Sequence, residues 1–372
     1  MAVDGVVANL RVDLSLAPGV GTSNTITLYK NASPTSLSCT ISNTATACTD
    51  LVNTVSVVPT DILAWSIAPT GTTVAAGAAV SSTFTGTNAG EVSIGGTTRT
   101  SANTLTYWAL TGGREQTTNA DGEGIAPTNF TLDKMYLASS AAPGVGTSYT
   151  ITLYKNGSPT LLTATISGTG TTASELSTSV SFAPGDRFSI EGSPTGSPAA
   201  RQYKWGFRFR PAIDGESMFT SADGIGYTAN ATRYPEMAGS LVNNTTEANA
   251  QAIAAVDFTL RKLYFLFAPV LTGSQQRSVT SRINGSSGTL TAAQNLGNPT
   301  PSDTTNSDAV TAGQFINWMT VPTGTPPANT TAAFSAVAYI APPVLTPAVL
   351  VPSKFRVYGG KFNIFGGSTI FR

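Results

Sequence analysis

The chain has 372 residues, of which 11% are charged, with 20 Lys and Arg offsetting 20 Asp and Glu, and it contains no His. Sparse, balanced charge excludes a general electrostatic pull toward nucleic acid or an anionic membrane, so neither is expected as a partner. Without His there is no Ser-His-Asp or Cys-His catalysis, and two cysteines are too few for the usual zinc sets, so the chain reads as a non-enzyme with no cofactor or metal.

In chain order, Met1-Ala-Val-Asp-Gly-Val6 has no basic leader region and precedes no long apolar run, which predicts neither a signal peptide nor a membrane-spanning helix. A strand is expected from about Val6. Ala17-Pro-Gly-Val-Gly-Thr-Ser23 and Thr25-Ile-Thr-Leu-Tyr-Lys-Asn31 follow as a connector and an alternating strand. Cys39 to Cys48 reads as a hairpin turning near Asn43-Thr44, with the cysteines on facing strands. A disulfide and a pair of buried thiols both satisfy that pattern. Thr104-Leu-Thr-Tyr-Trp-Ala-Leu-Thr-Gly-Gly113 then reads as a strand A that opens a second block.

That block repeats the first. Ala142–Ser148, Thr150–Asn156 and Pro194–Gly196 answer to Ala17–Ser23, Thr25–Asn31 and Pro69–Gly71 at an offset of 125, with Ala164 and Ala173 in place of the cysteines. Its strands are Ser148–Tyr154, Leu162–Ser167, Leu176–Phe182, Arg187–Glu191 and Gln202–Arg210, divided by the Asn156-Gly157 and Ala183-Pro-Gly-Asp186 turns. A third copy lies 128 further on: Phe258-Thr-Leu260, Asn284-Gly285 and Pro322-Thr-Gly324 follow the pattern, with Pro235–Ser240 as its strand A. A period this long is that of a small domain rather than a solenoid repeat. The expected fold class is all-β: three tandem antiparallel β-sandwich, jelly-roll-like domains in a pseudo-threefold arrangement. They cover residues 1–88, 89–212 and 213–343, with a C-terminal arm at 344–372.

The first copy leaves no room for a strand A before Val6. The arm has a strand-like pattern in Phe355-Arg-Val-Tyr-Gly-Gly-Lys-Phe-Asn-Ile-Phe-Gly-Gly-Ser368, which makes Phe355, Val357, Tyr358, Phe362, Ile364 and Phe365 candidate strand-donating or docking residues. Donated within the chain, such a strand closes a ring; donated to the next chain, it builds a filament. A plain anchoring arm is the third reading. Lys354, Arg356, Lys361 and Arg372 make the arm basic, and no acid follows Asp308.

Other groups read as structural. Asp121-Gly-Glu-Gly124 and Ala222-Asp-Gly-Ile-Gly226 lack the ligand spacing of a calcium loop and read as surface turns. Asp186 belongs to a recurring turn rather than to a glycosidase pair with Glu191. Lys204, Arg208 and Arg210 form a basic outer stripe, and Trp65, Phe188 and Trp318 are expected inside three equivalent cores.

In Pro143-Gly-Val-Gly-Thr-Ser-Tyr-Thr-Ile-Thr-Leu-Tyr-Lys-Asn-Gly157, followed by Ala183-Pro-Gly-Asp186 and Pro194-Thr-Gly196, the chain resembles β-rich domains of tailed-phage virion proteins, and also the compact C1q/TNF-type jelly rolls. It lacks the collagen-like segment of true C1q proteins. The resemblance implies a structural protein on the virion exterior: a capsid decoration (cement) protein or a head or tail fibre component. Its partners would be the major capsid protein or other virion proteins, with self-association. A carbohydrate-binding adhesin and a self-polymerising surface filament are the competing readings.

Overall fold

The computed structural model describes residues 1–74, 76–88, 91–98, 103–112, 115–227, 231–240, 244–268, 271–298, 300–326 and 330–341. The first repeat contains β1 (Gly5–Leu14), β2 (Gly19–Lys30), β3 (Ser33–Asn43), β4 (Ala47–Asp50), β5 (Val55–Val57), β6 (Leu63–Thr70) and β7 (Ala78–Gly86). Next come β8 (Val92–Thr97), β9 (Thr106–Trp108), one helical turn α1 (Asn119–Gly122) and β10 (Gly124–Ile125). The second repeat continues with β11 (Phe130–Ser139), β12 (Gly144–Lys155), β13 (Ser158–Gly168), β14 (Thr172–Phe182), β15 (Arg187–Thr195) and β16 (Tyr203–Pro211). The third has β17 (Glu216–Tyr227), β18 (Gly239–Ser240), β19 (Ala252–Ile253), β20 (Phe258–Ala268), β21 (Gln276–Ile283), β22 (Ser286–Gln294), β23 (Ser302–Val310), β24 (Phe315–Thr323) and β25 (Thr330–Tyr339). The expected all-β sandwich architecture is what these strands build.

Each repeat has two facing sheets. In the first repeat one sheet sets β1 between β7 and the pair β4/β5, and the other runs β3-β2-β6. The second repeat has β14-β11-β16-β8 opposite β13-β12-β15, with β9 and β10 both added to β15. The third has β23-β20-β25-β17-β18 opposite β22-β21-β24-β19. Alternation fills the space between the sheets: Tyr149, Ile151 and Leu153 of β12 point inward, as do Ile26 and Leu28 of β2. Each repeat has its own apolar cluster, which includes Leu10, Phe209 and Phe334 respectively.

Two local devices recur. The equivalent strands β1, β11 and β20 each carry a bulge at a residue with positive φ: Asn9 (57°), Lys134 (48°) and Lys262 (56°). The turn after the second strand starts at Asn31, Asn156 or Asn284, also left-handed, and continues into Gly157 and Gly285 in the later repeats but into Ala32 in the first. In each case the Asn side chain accepts from a backbone N–H at the start of β6, β15 or β24: that of Ile62, just before β6 (2.9 Å), Arg187 (2.7 Å) and Phe315 (2.8 Å).

Two sequence-based expectations need correction. Asn43-Thr44 is not the centre of a paired hairpin, because β3 bonds to β2 whereas β4 bonds to β1. Cys39 and Cys48, joined by a disulfide with Cα atoms 5.9 Å apart, therefore staple one sheet of the first repeat to the other. Nor is Thr104–Gly113 a strand over its described length: only β9 within it is a strand, and it pairs with β15, whereas the strand that pairs with β16 is β8, which lies before the expected segment.

The three repeats touch in a cycle. Met1, Ala126 and Ala254 occupy equivalent places: the amide of Thr60 donates to Met1 O (3.0 Å), that of Gly185 to Ala126 O (2.8 Å) and that of Gly313 to Ala254 O (2.8 Å). The segment leading to or from each leans on the next repeat. Ala2 lies against Gly206 of β16, and its amide donates to Ser93 Oγ (3.0 Å). Ile125 packs with Ala222 and Ala333. β19 packs on β7 and β1, where Arg11 donates to Ala255 O (3.1 Å). Residues 1–341 form one compact unit.

Two substitutions probe these devices. Ala32, at φ 65°, occupies a conformation that disfavours a side chain by about 1–2 kcal/mol. Ala32→Gly should therefore raise stability by up to about 1 kcal/mol, after allowing for the freer unfolded chain; a lowered denaturant midpoint would contradict this. Replacing Cys39 and Cys48 together with the alanines of the second repeat should lower stability by about 2–3 kcal/mol in chemical unfolding.

A candidate strand-acceptor site on the first repeat

The second and third repeats close one long side of the sandwich with extra chain. β8 pairs with β16, placing Ile94 opposite Phe207 and Gly96 opposite Trp205. β17 pairs with β25 in the equivalent register, with Thr220 opposite Ser335 and Ala222 opposite Ala333. On the facing sheet, β9 pairs with β15, and Trp108 buries itself against Trp205 with ring centroids 5.6 Å apart. In the third repeat the amide of Trp318 donates to Pro235 O (3.0 Å), and Met237 enters the core.

Close approach dictates the residue types in these covering strands. A Cβ on Gly95 would fall 2.2 Å from the Trp205 carbonyl oxygen, and one on Gly96 would fall 2.2 Å from the Gly112 amide nitrogen. The matching positions in β17 are the small, buried Ser221 and Ala222. A covering strand thus needs two consecutive small residues.

An acid anchors each covering strand. Glu91, just before β8, meets Arg208 of β16 at 2.7 Å. Glu216, the first residue of β17, meets Arg261 (2.8 Å) and Lys262 (2.5 Å) of β20 and accepts from Thr128 Oγ1 (2.7 Å). Burial alone would raise the Glu216 pKa, but the hydrogen bonds and charges from Lys262, Thr128 and Arg261 outweigh it and hold the carboxyl below its ordinary range.

Among the described residues, no strand pairs with the corresponding edges of β6 and β7. Trp65 and Ile67 stand opposite Leu28 and Ile26 on β2 and share their inward face. Even so, Trp65 is 36% and Ile67 46% exposed, whereas Ile190 and Trp318, the counterparts of Trp65, are 0% exposed. Phe188 and Trp318 lie inside their cores as expected, but Trp65 does not: its local pattern is that of a core residue, yet no cover lies over it among the described residues. Across the gap, Val80 and Phe84 of β7 are only partly buried. A cavity of about 170 Å³ opens here, lined by Val7, Leu28, Leu63, Trp65, Ser82 and Phe84 among others.

The remaining predicted groups are accounted for locally. Arg208 is bound bidentately by Asp133 (2.7 and 2.8 Å) and also meets Glu91, and Arg210 meets Asp133 at 2.8 Å, so the basic stripe is largely neutralised within the fold. Asp186 accepts from the Ala183 amide and from Asn156 Nδ2 (both 2.8 Å) and pairs with Lys155, as a turn residue would. The two acidic segments are not surface turns: Asp121–Gly124 runs from α1 into β10, with Glu123 buried and paired with Arg187 at 3.0 Å, and Ala222–Gly226 lies within β17. No cluster of three or more potential metal ligands occurs among the described residues. Phe355, Val357, Tyr358, Phe362, Ile364 and Phe365 lie outside the described residues. No protein-family model matches the chain, and no curated protein matches it.

Glu216 gives a pH prediction. Its lowered folded-state pKa contributes stability that is complete above the unfolded value near 4.5 and is lost as pH falls through the folded value. Glu216→Gln should destabilise the protein at pH 7 by roughly 2 kcal/mol, less than a fully buried pair would lose because both cations keep about a quarter of their surface in water. The gap between variant and parent should narrow below about pH 4 in denaturant titrations; a gap independent of pH would contradict this.

Proposed function

We propose that this chain is a non-enzymatic structural protein of a particle surface, a capsid decoration or fibre component on the virion exterior. It would act by burying surface and sharing β-strands rather than by turnover. The supporting observation is the construction itself: sandwiches in cyclic contact, two of them closed by added strands, and one whose apolar strand site is uncovered among the described residues. A body with three similar faces suits a local threefold position on a shell. The partner on this reading is the major capsid protein or another virion protein, and copies of the chain associate with one another. The C-terminal residues Phe355, Val357, Tyr358, Phe362, Ile364 and Phe365 serve as the donor arm.

The open edge also suits a self-assembling surface filament, since an unpaired edge carrying exposed Trp65 and Ile67 invites strand addition. Density-gradient sedimentation separates the two readings. A decoration protein should co-migrate with purified capsids at a fixed copy number and stay monodisperse without them. Material that never leaves the top of the gradient would refute decoration, and capsid-free high-mass polymer would select the filament.

A further inference from the structure

We propose that the open slot of the first repeat receives the C-terminal segment of a second copy of this chain, laid antiparallel along β7 in the register that β8 takes on β16. This deepens, and rests on, the reading of the chain as an assembling surface subunit: each copy then carries one donor and one acceptor, and they engage between molecules.

Three observations select this occupant. The first is shape. The covering strands place small pairs, Gly95-Gly96 and Ser221-Ala222, against the last strand of their repeat. The segment carries two such pairs, Gly359-Gly360 after Val357-Tyr358 and Gly366-Gly367 after Ile364-Phe365. The second pair gives the better match. Phe365-Gly-Gly-Ser-Thr369 follows Ile94-Gly-Gly-Thr-Thr98 residue by residue, including the hydroxyl that in Thr97 donates to Tyr203 O (3.0 Å). Gly359-Gly360 is followed instead by Lys361.

The second observation is charge. Glu91 just before β8 and Glu216 at the start of β17 need Arg208 or the Arg261–Lys262 pair in the receiving repeat. At the equivalent places the first repeat has Thr83, Ala8 and Asn9, none of them cationic. An acidic donor would find no counter-ion there, and the C-terminal segment contains no Asp or Glu. Donor and acceptor have lost the ion pair together.

The third is reach. Residues 342–372 can span up to roughly 100 Å when extended, enough to leave one body and lie along a strand of another. In this register Phe365 takes the place of Ile94, which packs on the core of the second repeat, and would lie over the uncovered Trp65 and Phe84.

The register places Phe365 of the donor opposite Ser82, as Ile94 stands opposite Phe207. A cysteine pair tests it without interference, because Cys39 and Cys48 are already bonded to each other. Full-length Ser82→Cys and Phe365→Cys chains, mixed in equal amounts under mild oxidation, should form a disulfide-linked heterodimer as the main product. Adding Trp65→Glu to the acceptor should reduce it at least tenfold, with the melting transition confirming that the acceptor still folds. Excess synthetic peptide of residues 355–372 should suppress the heterodimer in the unmodified background, which is an independent readout should the Trp65 variant unfold. The Ser82→Cys/Phe365→Cys double variant should give linked oligomers. An internally linked monomer from that variant, or no crosslink in the mixture, would overturn the proposal. The crosslink reads the slot and capsid sedimentation reads the particle, so either result can fail alone.

Discussion

A two-sheet sandwich has two long sides at which inward-facing residues meet water unless something lies across them. In the first repeat the side between β3 and β4 is drawn together by a connection of only residues 44–46 and by the Cys39–Cys48 disulfide. The side between β6 and β7 has only the longer connection 71–77 and no disulfide, and its counterparts lie between β15 and β16 and between β24 and β25. Burying it takes an additional strand on each sheet, and the rest of the architecture depends on where those strands come from.

The polypeptide supplies them by overlap. The stretch after one repeat's last strand becomes the cover of the next repeat, so β8 follows β7 but belongs to the β16 sheet, and β17 follows β16 but belongs to the β25 sheet. The contacts at Ala2, Ile125 and β19 then seat each repeat on its neighbour's last strand. Edge protection and repeat-to-repeat cohesion are thus one interaction. Glu216 illustrates this: one carboxylate ties β17 to β20 and receives a hydrogen bond from Thr128 of the preceding repeat. Unfolding any one repeat would expose two seams, which favours a cooperative transition over three separate ones.

How much of this was legible in the sequence depended on how local each feature is. Strands such as β12 and β16 alternate cleanly, and Asn156-Gly157 announces its turn, so the all-β class was readable. β8 was not, because Val-Ser-Ile-Gly-Gly-Thr looks like a loop; its glycines are there for the packing against Trp205 and Gly112, which only the fold brings near. The exposure of Trp65 was equally hidden, since its own strand has a core pattern and what distinguishes it from Trp318 is a partner far away in sequence. The Cys39–Cys48 pairing was one of two open readings, and the sheet-to-sheet geometry that the bridge spans could not be read from a pattern that looked like a hairpin.

The bulges at Asn9, Lys134 and Lys262 have a further consequence. Ordinary strands keep their inward residues an even number of positions apart, yet here the buried pairs Val7 and Leu10, Leu132 and Met135, and Leu260 and Leu263 are each three apart. The extra residue resets the phase of the strand midway, so that both halves face the same interior. Sequence length at this point behaves as a parity bit. Removing the bulged residue would send everything beyond it to the wrong face, whereas the three-residue difference between the repeat spacings of 125 and 128 falls where no phase has to be kept.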